Sequence, residues 1–306
     1  MKLLLCADPL SPHRVDDAYQ SEFEAARQAG WDVSLINFEA LTFGGDAAAA
    51  AGRVPIADSE TLGIYRGWML TVNQYTRLHS ALRARGTVLI NSPDAYAHCH
   101  YLPQSYDKIE VWTPKTVWVA QDKFDLSSLA ALLAPFGARP IIVKDYVKSR
   151  KHEWAEACFI PSAADTLSAA RVVETFMRRQ GPDLAGGLVF REFVEFEPLT
   201  THAQSGMPLT REFRLIFLDG EALSVSRYWE DGDYAGEQPP MEPLTALART
   251  IESRFFTMDV ARTVAGGWKV IELGDAQVAA LPPETEPSEF YARLREAVSV
   301  LSRLRG

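Results

Sequence analysis

The chain has 306 residues, 47% hydrophobic and 23% charged, with a formal net charge of -9. A chain of this size and composition buries its own core without staples. Its acidic balance argues against a general binder of nucleic acid or membrane surfaces, while leaving room for a local cationic pocket.

The predicted elements begin with a buried strand over residues 2 to 7. The apolar run of this MKLLLC opening is too short for a signal peptide. Tyr19, Phe23 and Ala26 recur at helical spacing between Asp16 and Gly30, and Gly30 suits the stop. Strands follow over 31–38, at the start of 61–70, which runs into a helix ending near Gly86, and over 87–93; the Ala- and Gly-rich stretch 44–58 reads as a loop with a weak helix. Strand alternating with helix is the pattern of a parallel sheet with crossover helices, so residues 1–105 read as a Rossmann-like unit. No G-x-G-x-x-G follows an early strand, which counts against a dinucleotide enzyme. No run is long enough to span a membrane. The three cysteines, Cys6, Cys99 and Cys158, show neither a disulfide framework nor zinc spacing. The expected compartment is reducing and cytoplasmic.

Beyond residue 105 the pattern changes. Strands are predicted over 113–120, 141–144 and 187–196, and helices over Leu126–Phe136 and Ala163–Gln180. Residues 210–229 read as a hairpin turning at Asp219-Gly220, and 253–275 as a second turning at Ala265-Gly266. A helix from Ser288 to Leu304, with Ser288 as N-cap, closes the chain. The fold class is therefore α/β: a Rossmann-like unit (1–105), then a two-lobed α+β unit (106–306, lobes about 106–186 and 187–306).

Hairpin arithmetic brings charges together. In the second hairpin Asp259 falls opposite Glu272, with Cβ atoms about 4.5–5.5 Å apart. Two facing carboxylates repel unless a cation lies between them, and magnesium accepts one or two carboxylates plus phosphate oxygens. Asp275 is a candidate third ligand; the alternatives are solvated acids or a displaced turn. In the first hairpin Glu212 falls opposite Arg227, with Arg214 on the same face. Two arginine forks suit phosphate or carboxylate, or form a wet cross-strand ion pair. The strand Ile141-Ile142-Val143 ends in Lys144, and Lys148, Arg150 and Lys151 follow at once. Arg66 stands at the end of a parallel strand, where open α/β sheets bind ligands. It is a candidate for a substrate carboxylate or a surface ion pair. His98-Cys99-His100 lacks a partner pair for zinc. His13 follows the first strand and is given no role. Trp154, Trp229 and Trp268 read as packing residues.

In order and spacing these pieces resemble the ATP-grasp superfamily over nearly the whole chain. The resemblance rests on Asp107-Lys108, Pro114-Lys115-Thr116, Ile-Ile-Val-Lys144, the strand Val189 to Val194, Glu212-x-Arg214, and Asp259 with Glu272 thirteen residues on. It implies a pre-ATP-grasp domain followed by an ATP-grasp domain, with ATP and Mg2+ as cofactors. Lys108 and Lys144 would bind phosphates. Arg191, Glu192, Phe193 and Val194 would clasp the adenine, and Glu195 or Glu197 the ribose. Asp259, Glu272 and Asp275 would hold magnesium, and Arg214 and Arg227 would stabilise the transferring phosphoryl group. The segment after Lys144 lacks the family's usual glycines, so Lys148, Ser149 and Lys151 would replace backbone donors in a phosphate lid. The implied activity is ADP-forming carboxylate–amine ligation through an acyl phosphate. The rivals are phosphotransfer, thioester chemistry, or a catalytically silent ATP-binding module. Expected partners are small-molecule or peptide carboxylates and amines, with neither nucleic acid nor membrane; a homodimer is compatible with the sequence. The motif reads Glu272-Leu273-Gly274 where the family often has Glu-x-Asn, and Thr257 stands where an arginine is common.

Overall fold

The computed structural model describes residues 1–201 and 208–304. Four strands, β1 (Lys2–Cys6), β2 (Asp32–Ile36), β3 (Thr61–Arg66) and β4 (Thr87–Leu89), form a parallel sheet in the order β2-β1-β3-β4. Helices cross between them. The helix Val72–Arg83 starts at a capping box in which Thr71 and Gln74 satisfy each other's backbone N–H groups. The short helix Ala47–Ala50, capped by Asp46, is the weak helix expected in the alanine-rich stretch.

A second sheet is antiparallel, in the order β5-β8-β6-β7: β5 (Thr116–Ala120), β6 (Ile141–Asp145), β7 (Phe159–Ile160) and β8 (Gly187–Glu192). Strand β8 pairs between β5 and β6, in one sheet with strands of residues 106–186. Strands β9 (Pro198–Thr201) and β10 (Pro208–Thr210) make a small ribbon. The last sheet is antiparallel, in the order β12-β11-β13-β14: β11 (Glu212–Leu218), β12 (Glu221–Arg227), β13 (Phe255–Arg262) and β14 (Trp268–Asp275). Asp219 and Gly220 both take positive φ (49° and 82°), as a tight two-residue hairpin requires.

The faces of this last sheet divide by period two. Phe213, Leu215 and Phe217, with Phe256, Met258 and Val260, fill a core that includes Leu244 and Leu247 of the helix Met241–Ala248. Ile216, Leu218 and Phe255 share a core with Leu3, Leu5 and Ile64 of the parallel sheet and with Phe290, Tyr291 and Leu294. The latter three lie on the closing helix, Pro287–Leu304. Its first residue is Pro287, whose fixed φ suits the first turn, so Ser288 lies inside the helix rather than capping it. One sheet face thus begins against the N-terminal unit and emerges, two residues along each strand, at polar side chains.

Among the described residues no helix is long and apolar enough to cross a membrane. All three cysteines are free and buried.

Candidate active site

The polar end of that face is set by two β-bulges. Strands β13 and β14 are joined by five residues, 263–267, not by a two-residue turn. Arg262 faces Trp268 and Val260 faces Val270, yet Asp259 faces Glu272, because the register shifts between Asp259 and Val260. Ile271 is the extra residue on β14. The two carboxylates therefore oppose each other as expected, though the turn differs. Buried Arg191 donates to the Ile271 carbonyl at 2.6 Å, to the Val270 carbonyl at 2.9 Å and to the Thr113 hydroxyl. The side chain of the expected adenine strand thus braces the bulge that places Glu272.

The second bulge has the opposite effect on a prediction. In the β11–β12 hairpin the register shifts between Ile216 and Phe217, so Arg227 faces Phe213 and Ser226 faces Arg214. Arg227 leaves the face of Glu212 and Arg214. It pairs with Glu284 at 3.1 Å and lies over the Tyr234 ring. Arg214 stays. Directly opposite Asp259 on β13, it grips that carboxylate with both arms of its fork, at 2.8 and 2.7 Å. It also donates to the Ala280 carbonyl at 3.0 Å and lies over the Tyr228 ring. Burial pushes the Asp259 carboxyl up, and the bonds from Arg214 oppose that rise.

Across from this face stands Lys144 at the end of β6. It is buried, donates to the Val147 carbonyl at 2.9 Å and lies 4.0 Å from Glu272. Burial lowers its pKa, while the Glu272 charge raises it. Burial likewise lowers Arg191 to about 10, again opposed by Glu272. Burial raises the Glu212 carboxyl, and the exposed Lys151 pulls it down. Lysines 144 and 151, arginines 191 and 214, and the carboxylates of Glu212, Asp259 and Glu272 form one electrostatic unit.

The segment after Lys144 is held by Asp145, which is fully buried. Its carboxylate accepts from the backbone N–H groups of Val147, Lys148 and Ala185 and from the Gln180 side chain. Arg150 ties the segment to Gln180 and to Glu153. The missing glycines are thus replaced by a side-chain-anchored turn. Lys148 is exposed on it and Ser149 is half-buried.

Several expected residues lie elsewhere. Asp275 follows Glu272 by three positions, so strand alternation turns it to the other face. There it is fully buried and accepts from Asn91 at 2.6 Å and from the Gln277 backbone at 2.9 Å. Burial pushes its carboxyl up to about 6. It is not a third ligand. The same-face position is Gly274, opposite Thr257. A Cβ there would come within 2.7 Å of the Thr257 hydroxyl, so no asparagine fits while Thr257 holds its place. Arg66 is no surface group. It is buried against Glu22 (2.8 Å) and the Ala279 carbonyl (2.7 Å), which removes it from any substrate. Lys108 pairs with Glu252 at 2.9 Å instead of joining Lys144. Glu192 pairs with Arg139, and Glu197 with Arg211. Phe193 packs its ring against Phe159 and Trp154, and Val194 is half-buried.

Two neighbours were not among the expected residues. His100 and Tyr146 line a small enclosed cavity with Lys144 and Glu272. Burial lowers His100 to about 4, so it is neutral. In the sequence it stands beside His98 and Cys99, a run whose visible pattern is that of metal ligands.

The carboxylate pair fits magnesium in one form. Among the described residues no group of three His, Cys, Asp or Glu side chains could hold a metal ion. Asp259 and Glu272 would hold it as two ligands beside the phosphate oxygens of a nucleotide.

Residues 135–294 match the family described as ATP-grasp domain, R2K clade family 3. No curated protein matches the chain. Among solved structures the chain is similar to D-cycloserine synthetase DcsG, at 17% identity and TM-score 0.59, over 97% of this chain and 100% of that one. It is similar to the ATP-grasp ligase PsnB complexed with a minimal precursor, Mg and ADP, at 14% identity and TM-score 0.57, over 98% of each chain. It is also similar to D-alanine–D-alanine ligase from Bacillus anthracis complexed with ATP, at 10% identity and TM-score 0.57, over 100% of this chain and 99% of that one. These likenesses establish the common fold, and the match over more than half of the sequence establishes the membership: the chain belongs to the ATP-grasp proteins, in family 3 of the R2K clade.

Proposed function

We propose that the protein is an ATP-dependent ligase that joins a carboxylate to an amine through an acyl phosphate. One observation carries the reading. Lys144 of one sheet lies 4.0 Å from Glu272 of another, Glu272 faces Asp259 within its own sheet, and Arg214 holds Asp259. Such an arrangement counters the charge of a triphosphate from one side and holds its metal from the other. The named solved relatives, a synthetase and two ligases, agree with it.

Lys144 and the lid cations Lys148 and Lys151 orient the phosphates, with Ser149 as a neutral donor. Residues 191–194 of the adenine strand contribute backbone groups, and the Arg191 side chain braces Glu272. Bound magnesium would neutralise phosphoryl charge and hold the phosphates in line for attack. A substrate carboxylate oxygen then attacks the terminal phosphorus, and the bond to the bridging oxygen of ADP breaks. Arg214 stabilises the charge on the transferring group. The amine nitrogen next attacks the acyl carbon, phosphate leaves, and the nitrogen gives up one proton. Residues 1–105 would supply the substrate side, and residues 106–306 the nucleotide side.

Glu272→Ala is expected to lower magnesium-dependent ADP release at least 100-fold with the fold intact; near-normal release would remove the metal assignment. Product analysis after turnover separates the amide from a phosphorylated or thioester product.

A further inference from the structure

Strand β2 is an outer strand of the parallel sheet and pairs with β1 alone. On that side the Ile36 carbonyl accepts from the Ala7 N–H at 2.9 Å. Alternation along the strand then turns the backbone groups of Val33 and Leu35 the other way, to the free edge. The flanking residues are closed off. Trp31 spends its N–H on the Ala26 carbonyl and Asn37 on the Ala50 carbonyl, each at 3.0 Å. Outer strands are usually blunted by a lysine, a proline or a bulge. Strand β2 reads Asp-Val-Ser-Leu-Ile, its register on β1 is unbroken, and its one charge, Asp32, is tied to Lys2 at 2.6 Å.

A groove of about 670 Å3 opens along this edge, between β2, the helix Gln20–Gln28 and residues 13–17. Its volume falls in the range of ligand sites, roughly 300–1,000 Å3. Val33, Leu35 and Phe23 line it half-buried. The buried Trp31 is fixed by its indole N–H, which donates to the Tyr291 carbonyl at 3.1 Å. The exposed part of the lining carries Arg14, Arg27 and His13. Arg27 lies over the Phe23 ring at 5.7 Å and, among the described residues, forms no ion pair. Arg14 meets Asp17 only loosely, at 3.5 Å with both side chains exposed. Asp32, the other acid of the groove, is already held by Lys2. The groove shares no lining residue with the cavity at Lys144 and Glu272.

We infer that this edge takes an extended, acidic peptide segment of another protein as a further strand. The main chain of the segment would pair with the free N–H and C=O groups of Val33 and Leu35. An apolar side chain would enter the groove beside Phe23. Acidic side chains two residues to either side share its face and would meet Arg14 and Arg27. A second copy of this chain fits less well, because its own β2 would bring the same arginines to the contact. The inference does not rest on the ligase reading, since the two use different residues.

The test is fluorescence polarisation on the full chain with two labelled, end-blocked peptides, Glu-Thr-Leu-Thr-Glu and Lys-Thr-Leu-Thr-Lys. The acidic peptide is expected to bind at least about tenfold tighter, and Arg14→Glu with Arg27→Glu should reverse the order. Val33→Pro removes an outward N–H and leaves the bonds to β1 in place, as an outer strand tolerates. With its thermal transition retained, it should weaken the acidic peptide at least about tenfold. If that variant does not fold, the acidic peptide with every backbone nitrogen methylated replaces it and should lose binding equally. Equal binding of the two peptides would overturn the inference. So would no binding of the acidic one up to about 1 mM, or binding that survives loss of the backbone pairing. A dimer in sedimentation that Val33→Pro disperses would give the edge to a second copy and overturn the peptide.

Discussion

Lys144 shows how burial makes one side chain informative. An ammonium held at 7% exposure, with one carbonyl bond and a carboxylate at 4.0 Å, has few partners for its charge, and in the proposed function a polyanion would supply more. Lys144→Ala is expected to weaken ATP binding at least tenfold by calorimetry, and an unchanged Kd would remove it from the site. His100 gives a pH prediction. Its imidazole titrates near 4 when folded and near 6.5 when unfolded, so the unfolded chain takes up the proton first as pH falls. This group's contribution is complete above pH 6.5 and is lost as pH falls towards 4, on the order of a few kcal/mol. Calorimetric melting from pH 7 to 4.5 should therefore fall more steeply for the native protein than for His100→Gln; parallel curves would refute the assignment. At this scale the place of Lys144 near a strand end and the facing of Asp259 and Glu272 were legible, because facing pairs follow from alternation. Arg66 and Asp275 were misread because a sequence shows a charge without its buried partner. Glu22 lies 44 positions from Arg66, and Asn91 lies 184 from Asp275.

The hairpins show the limit of counting along an element. The Asp219-Gly220 turn was visible and the second connection is longer than the expected two residues, but a single extra residue in a strand moves every later side chain to the other face. Leu223 carried Arg227 away from the site, whereas Ile271 offset a longer connection and left Asp259 facing Glu272. A bulge has no composition signal comparable to Asp-Gly; here Arg191, from another sheet, donates to the carbonyl of the extra residue. The turn itself is testable. Gly220 has φ of 82°, and a Cβ there would meet the Arg249 side chain at 2.8 Å. Gly220→Ala should cost about 1–3 kcal/mol in urea unfolding. No loss would mean that the turn relaxes without strain.

For the whole molecule, the joint between the N-terminal sheet and the closing helix is held by charge as well as by core. Arg66 receives Glu22, and Glu22 also accepts from the Tyr291 hydroxyl of the last helix at 2.5 Å. Removing the cation strands a buried carboxylate. Arg66→Met is therefore expected to destabilise the protein by about 3–5 kcal/mol in urea unfolding; a change under about 1 kcal/mol would show the network to be dispensable. The order of elements was readable because strand and helix periods differ. The shared core was not, since it joins residues 3 and 294 through a sheet between them. The anchored turn behind Lys144 has a further consequence. Asp145 accepts four hydrogen bonds from within the protein. The conformational entropy of this segment is thus surrendered during folding, and under the proposed function little of it would be left to lose at capture of a nucleotide. A protease that finds glycine-rich lids in their open excursions should meet a closed, slow-to-cut segment at 146–150, with or without nucleotide.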